Sequence, residues 1–241
     1  MDEPDLAGMD DPESAGKSLA APLERNPGRG VLDGAFQLLR ALPEVNGPGQ
    51  LSELARATGI PRPSVHRLLT QLSSVGAVER QHGQYVLGTA MLEIAGRVEP
   101  TAGLRRDSAE VMRALREQTG VTVSLLTQAG EGAVVLDMIP GRESLPVDIH
   151  AGTVMPAVAA GALVLDPVAA PERIRPARHA AVDDEHTVPG LTCYATAIAL
   201  PGGGAAALQL TSTNGHNAIQ LATLAHQAAA RITDRVRRSA R

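Results

Sequence analysis

Residues 50–87, QLSELARATGIPRPSVHRLLTQLSSVGAVERQHGQYVL, constrain the fold of this chain more than any other stretch. Their apolar spacing predicts two short helices joined by a tight turn, then a β-hairpin. Ser52 is placed to cap the first helix, whose inner face is Leu51, Leu54 and Ala55. Gly59 breaks that helix, and Pro61 falls before or in the first turn of the next, where an N–H is not missed. Val65, Leu68, Leu69, Leu72 and Val75 then recur at i, i+3, i+4, i+7 and i+10, one face of a helix. The opposite face is Arg62, Ser64, His66, Arg67, Thr70 and Gln71, all hydrogen-bond donors. Gly76 suits the position just past the helix end, and Gly83 marks the hairpin tip.

A helix–turn–helix with a donor-rich outer face fits the DNA major groove; a solvated face on a small helical domain is the plainer reading. The hairpin adds a wing with Arg80, Gln81, His82 and Gln84, and Tyr85-Val86-Leu87-Gly88 returns to the core. The strings R-x-S-V-H-R-L-L-x-x-L, V-G-A-V-E-R and G-Q-Y-x-L-G closely resemble the winged DNA-binding domain of the IclR family of bacterial transcriptional regulators, over residues 28–98. Pro63 departs from the Ser or Thr usual there, which removes a hydroxyl and stiffens the first helical turn. The resemblance implies an α+β chain with a winged helix–turn–helix domain over 28–88 and a linker helix over 89–100 that supports dimerisation. Residues 101–241 would form a GAF-like effector and oligomerisation domain, an antiparallel sheet with flanking helices. Ser64, His66 and Arg67 are the expected direct DNA contacts, with Arg62, Arg80, Gln81 and His82 at phosphates or in the minor groove.

The charge distribution suits this reading. A net charge of −4 is unfavourable for a DNA binder taken whole. Residues 60–82, however, set Arg62, Arg67 and Arg80 against Glu79. Acid is concentrated before residue 28, at Asp2, Glu3, Asp5, Asp10, Asp11, Glu13 and Glu24. Local sign, not the total, sets phosphate attraction. Residues 1–27 read as a disordered acidic tail, with a partner-binding arm as the other reading. With no Trp, one Phe and two Tyr, the cores must be aliphatic, and stacking onto single strands lacks the rings it needs. The lone Cys193 excludes an internal disulfide framework and suits a reducing cytoplasm. No signal peptide or membrane span is expected, so the chain reads as cytoplasmic and nucleoid-associated when bound to DNA.

Along the rest of the chain, residues 30–41 predict a first helix with Val31, Leu32, Ala35, Phe36, Leu38 and Leu39, and Phe36 as its bulkiest core residue. Arg29 just before it is a phosphate contact or a plain surface charge. Met91, Leu92, Ile94 and Ala95 continue as a helix over 89–98. Residues 104–119 form an amphipathic helix on Leu104, Ala109, Val111, Met112 and Leu115. Strands are expected at 121–126, 133–139 and 147–150, with a helix from near Pro156 to Leu165. Residues 166–190 read as irregular. A hairpin of 193–200 and 205–213 turns at Pro201–Gly204. A closing helix from Asn217 turns Ile219, Leu221, Leu224, Ala225, Ala228, Ile232 and Val236 inward. Helix, strands, helix, strands, helix is the order of an α+β sensor domain.

The resemblance also implies an effector pocket. Residues 183–193, D-D-E-H-T-V-P-G-L-T-C, resemble the stretch in which an Asp ten residues ahead of a Cys lines that pocket, here Asp183 and Cys193. Gln209 and Thr211 on the following strand complete the ligand-binding set, which suits a small carboxylate or an aromatic acid. A buried strand thiol is the other reading of Cys193. Family members show a Gly-rich turn and a Gly-Lys pair leading into a helix after a His matching His150. This chain instead has Gly152, Thr153, Val154, Met155 and Pro156. Val154 and Met155 would crowd a ligand and Pro156 lacks an amide donor, which points to a more apolar ligand or none.

His179, His186 and Cys193 are spaced by sevens but form no short metal motif. G-x-S-x-G, H-E-x-x-H and Walker patterns do not occur, and Gly130–Gly132 and Gly202–Gly204 read as hairpin turns. No cofactor, metal or enzymatic activity is expected. The expectation is a regulator binding a palindromic double-stranded operator as a homodimer or homotetramer, open to modulation by a small-molecule effector. Its regulon would be catabolic or developmental (sporulation). The alternative is a winged-helix protein-interaction or sensor protein without operator binding.

Overall fold

The computed structural model describes residues 30–97, 103–130, 132–175, 179–213 and 218–240. Those up to 97 form one compact unit and those from 103 another. The N-terminal unit runs α1 (Val31–Ala41), α2 (Gln50–Thr58), α3 (Arg62–Ser74), β1 (Val78–Gln81), β2 (Gln84–Leu87) and α4 (Thr89–Ala95). Leu38, Leu54, Val65 and Leu69 are wholly buried at its centre. α1 crosses α3 closely because Gly34 has no side chain; a Cβ there would lie 3.2 Å from Leu68 Cδ1.

Three sequence expectations for this unit are corrected. Gly49, at φ 95°, caps α2, and Ser52 lies exposed inside the helix. The helix starts earlier because Gln50 turns into the core to hydrogen-bond β2. Phe36 is 54% exposed rather than central. The apolar residues of α1 cover too wide an arc for one face, and Gly34, Leu38 and Leu39 take the buried side. Val75 is 68% exposed, because it ends α3 instead of extending its buried face. The Gly76 N–H donates to the Ser73 carbonyl (3.1 Å) and the Ala77 N–H to that of Leu72 (3.0 Å). With Gly76 left-handed at φ 73°, this is a Schellman stop.

The C-terminal unit runs α5 (Leu104–Thr119), β3 (Thr122–Ala129), β4 (Gly132–Ile139), β5 (Val154–Met155), α6 (Ala160–Leu165), β6 (Ile174–Arg175), β7 (Ala180–Asp184), β8 (Leu191–Ala199), β9 (Ala205–Thr213) and α7 (Ala222–Ser239). Its strands form one seven-stranded antiparallel sheet in the order β5-β4-β3-β9-β8-β7-β6. Strand alternation sorts side chains onto two faces. Val123, Leu125, Tyr194, Ile198, Leu208 and Leu210 pack with α5 and α7 through Leu104, Met112, Ile232 and Val236. Leu126 and Ala207 on one side of the second face, and Cys193 and Ala195 on the other, pack with α6. The sheet is therefore α+β with helices on both faces, and α6 covers the more polar one.

Here too the structure departs from the sequence reading. Residues 147–150 are an irregular connection, with Ile149 buried. The edge strand is β5, paired Val134↔Val154 and Ala133↔Met155. α6 begins at Ala160, not near Pro156. The stretch 166–190 contains β6 and β7; β7 is Ala-rich and weakly β-forming, yet β8 gives it a full ladder from Ala180↔Thr196 to Asp184↔Thr192. Glu131, Asn217 and the Ile219 side chain, like the acidic tail, lie outside the described residues. Among the described residues no helix is long and apolar enough to cross a membrane.

Candidate functional site

Gly59, Ile60 and Pro61 make the turn between α2 and α3. Gly59 is left-handed at φ 64°, Ile60 enters the core, and Pro61 is extended and starts α3. Pro63 occupies the first turn, where its missing N–H forfeits no helical bond. With Val65, Leu68 and Leu69 turned inward, Arg62, His66, Arg67, Thr70 and Gln71 are exposed and Ser64 is half-buried. The Thr70 hydroxyl is spent on the His66 carbonyl at 2.9 Å. Among the described residues, Arg62, His66 and Arg67 make no ion pair within the chain. Their donors face solvent along one side of a rigid helix.

The wing pairs Gln81↔Gln84, which leaves His82-Gly83 as a two-residue turn. Both turn residues have positive φ, 51° and 83°, as a type I′ hairpin requires. His82 thus sits at the tip, beside exposed Arg80 and Gln81. The Arg80 guanidinium lies 5.1 Å from the ring centre of Tyr85, its cross-strand partner, and this cation–π contact steadies it.

Two positioning residues escaped the sequence reading. Buried Gln50 donates through Nε2 to the carbonyls of Val45 (3.0 Å) and Tyr85 (2.8 Å). Its Oε1 accepts the Tyr85 N–H at 2.8 Å. The side chain thus acts as a strand partner for β2 and ties the wing to the start of α2. Glu79 Oε1 accepts the Thr89 N–H (2.9 Å) and hydroxyl (3.2 Å). The Thr89 backbone bond, then the hydroxyl bond, hold the Glu79 carboxyl below its ordinary range. The acid within the basic stretch is therefore turned to the start of α4. The glycine spacing carried a faint signal for this joint: a Cβ on Gly88 would lie 2.1 Å from the Gly76 carbonyl oxygen.

In the C-terminal unit Asp183, Cys193, Gln209 and Thr211 converge on the α6 face. The register Asp183↔Cys193 and Cys193↔Thr211 sets three of them in one row across β7, β8 and β9. All four are buried. Cys193 Sγ lies 3.5 Å from Thr211 Oγ1. Gln209 Nε2 donates to Thr211 Oγ1 at 3.1 Å, and its Oε1 accepts the Gly161 N–H at 2.9 Å. A Cβ on Gly161 would lie 2.8 Å from that same oxygen, so glycine makes room for the amide.

Asp183 is equally occupied. Its Oδ1 accepts the N–H groups of His186 (2.9 Å) and Thr187 (3.1 Å), and Oδ2 accepts the Thr187 hydroxyl. Arg173, also nearly buried, places a guanidinium nitrogen 3.2 Å from Oδ1. Arg173 also donates to the carbonyls of Val182 (3.1 Å) and Val158 (2.7 Å). Ile149, Met155, Ala159, Val188 and Leu191 line the rest of a cavity of about 20 Å³, room for about one water. Met155 crowds this space as expected. Val154 does not: it is 43% exposed and lies outside the lining. Among the described residues no three His, Cys, Asp or Glu side chains are grouped to hold a metal ion.

A family model, the IclR helix-turn-helix domain, matches residues 31–82. The probable transcriptional regulator SauR of Cupriavidus necator is 29% identical over 135 residues, covering 54% of this chain and 54% of that protein. The acetate operon repressor of Salmonella typhimurium is 28% identical over 131 residues, 53% of this chain and 48% of that protein. Residues 31–82 are therefore an IclR-type helix–turn–helix domain. It spans about half the length of the curated relatives it matches. The fold likeness reaches further. An IclR homolog from Microbacterium hydrocarbonoxydans, crystallised with 4-hydroxybenzoate, aligns with a TM-score of 0.70 at 17% identity, covering 87% of this chain and 100% of that one. The Thermotoga maritima IclR structure gives 0.61 at 18% identity, covering 85% and 98%. The IclR architecture therefore takes in both units.

In the C-terminal unit the Cys193 thiol is kept un-ionised. Burial pushes it from 9.0 up to about 12. The folded value lies above the unfolded one, so this contribution to stability is complete below pH 9 and is lost as pH rises toward 12. The loss amounts to about 1.4 kcal/mol per pH unit. Between pH 8 and 10 the thermal midpoint of the full chain is expected to fall more steeply than that of Cys193→Ala. Identical slopes would refute the assignment.

Proposed function

We propose that this protein is a DNA-binding transcriptional regulator that sets α3 in the major groove. The observation that carries this reading is the solvent face of α3, where Arg62, Ser64, His66 and Arg67 stand together beside the Arg80 wing. Ser64, His66 and Arg67 read base edges, while Arg62, Arg80, Gln81 and His82 hold phosphates or the minor groove. The protein works in the cytoplasm as a homodimer or homotetramer on a palindromic operator. Support for self-association comes from exposed Leu32 and Phe36 on α1 and Leu92 and Ile94 on α4, large apolar side chains that a monomer would leave in water. The acetate operon repressor among its relatives favours a catabolic regulon over a developmental one.

Asp183, Cys193, Gln209 and Thr211 form the floor of a site for a small effector. Because they are satisfied by one another and by Arg173, the effector this site admits is small and largely apolar. No step of this reading calls for enzymatic chemistry or a cofactor.

The test is Arg67→Ala, with duplex binding measured by gel shift and mass by light scattering. Loss of a bidentate base contact costs about 1–3 kcal/mol, so operator affinity should fall about 10- to 100-fold with the oligomeric state unchanged. Unchanged affinity would overturn the role of α3. Failure of the unaltered chain to bind any duplex at moderate salt would favour the winged-helix protein-interaction alternative.

A further inference from the structure

α5 and α7 pack side by side on one face of the C-terminal sheet. They run antiparallel, since Asp107 meets Ser239 while Glu110 meets Arg235. Together they carry eight arginines against four carboxylates, a net charge of +4. Residues 120–221 have four arginines against nine carboxylates, and residues 30–97 six against five. Beside the basic stretch at residues 60–82, α5 and α7 are therefore a second concentration of positive charge.

Part of this charge is already paired. Arg235 donates to Glu110 at 2.8 Å, and Arg106 to Asp107 at 3.0 Å. Arg113 and Arg231 also act on Glu110 electrostatically, which places three guanidinium groups around one carboxylate. Arg113, Arg231 and Arg238 are exposed, and among the described residues they make no direct ion pair. Arg106 to Arg113 and Arg231 to Arg238 each run seven residues, about 10 Å of helix. Duplex DNA presents one phosphate per about 1.7 Å of axis, so a strip of that length meets several. Arginine forks bind phosphate oxygens in pairs. Residues 98–103 alone separate α5 from the helix–turn–helix unit in the sequence, so flanking duplex is held at high effective concentration.

We propose that the arginine face of α5 and α7 is a second nucleic-acid contact, gripping the phosphate backbone of duplex DNA outside the site read by α3. This rests on the DNA-binding reading above. Its partner is sequence-independent, because the face offers charge in quantity and nothing shaped to base edges.

The experiment uses duplexes selected by the full chain from a randomised library. Each is made as a short fragment holding only the selected site and as one extended by flanking sequence. The unaltered chain should bind the extended fragment more tightly and with a steeper salt dependence. The triple variant Arg113→Gln/Arg231→Gln/Arg238→Gln should lose that excess, with the slope falling by up to about 3 at about 0.9 per phosphate. Its affinity for the short fragment and its thermal midpoint should not change. Equal salt slopes for variant and unaltered chain on the extended fragment overturn the proposal alone, and so does equal weakening on both fragments. Selection of no duplex at all overturns the DNA-binding reading and this proposal together.

Discussion

Replacing Asp183 by Ala is expected to destabilise the C-terminal unit by about 3–5 kcal/mol, the usual cost of removing one partner from a buried ion pair. The carboxylate holds the Arg173 guanidinium at 3.2 Å, and both groups are nearly shut off from water. Once it is gone, Arg173 keeps its bonds to Val182 and Val158 but retains an uncompensated charge. The His186 and Thr187 amides lose their acceptor as well. At about 2–4 °C per kcal/mol for a unit of this size, the thermal midpoint should drop by about 10 °C. Asp183→Leu combined with Arg173→Met removes both charges and should recover a large part of the loss. A drop of under about 1 kcal/mol for Asp183→Ala would show that the pair carries no stability and would return Asp183 to ligand binding alone. The distinction matters in practice, because an Asp183 variant that ignores its effector is expected to be partly unfolded.

The second large effect is at Gln50. Gln50→Leu keeps the side chain buried but strands the Val45 carbonyl and both the N–H and the carbonyl of Tyr85. Each orphaned buried group costs about 1–3 kcal/mol, so a total of at least about 3 kcal/mol is expected. Gln50→Glu should fare no better, since a carboxylate takes the Tyr85 N–H but donates nothing to the carbonyls. Duplex affinity should weaken although no DNA-facing side chain has changed, because the wing is no longer tied to α2. Hydrogen exchange at the Tyr85 amide reads this directly. Protection equal to that of the unaltered chain would eliminate Gln50 as the clamp.

These two residues mark the limit of what the sequence disclosed. α2, its turn and α3 were legible because their signals are local: Leu spacing at 3.6 residues, Gly59 and Pro61 between, Gly76 at the end. The hairpin was legible from its glycine tip. Gln50 was not, because the two β2 groups it serves lie 35 residues away and no periodicity reports them. Phe36 was misplaced for a related reason. An α-helix with apolar residues around much of its circumference does not announce which side the neighbours will cover, and in α1 Leu38 and Leu39 took the core. β7 was missed because Ala180, Ala181 and Asp183 lack the branched side chains that advertise a strand, while β8 supplies the pairing regardless. The row of Asp183, Cys193 and Thr211 came from resemblance alone. Its saturation by Arg173 and Gln209 could be seen only once the strand register was known.

Gln209 sets a condition on any molecule that enters beside Thr211. The side-chain amide already bonds Gly161 and Thr211, and being attached to β9 it never diffuses away. It is a built-in competitor, and a polar guest must trade bonds with it one for one. Such exchange leaves little net gain, so selectivity falls to shape and to the oily wall of Ile149, Met155 and Leu191.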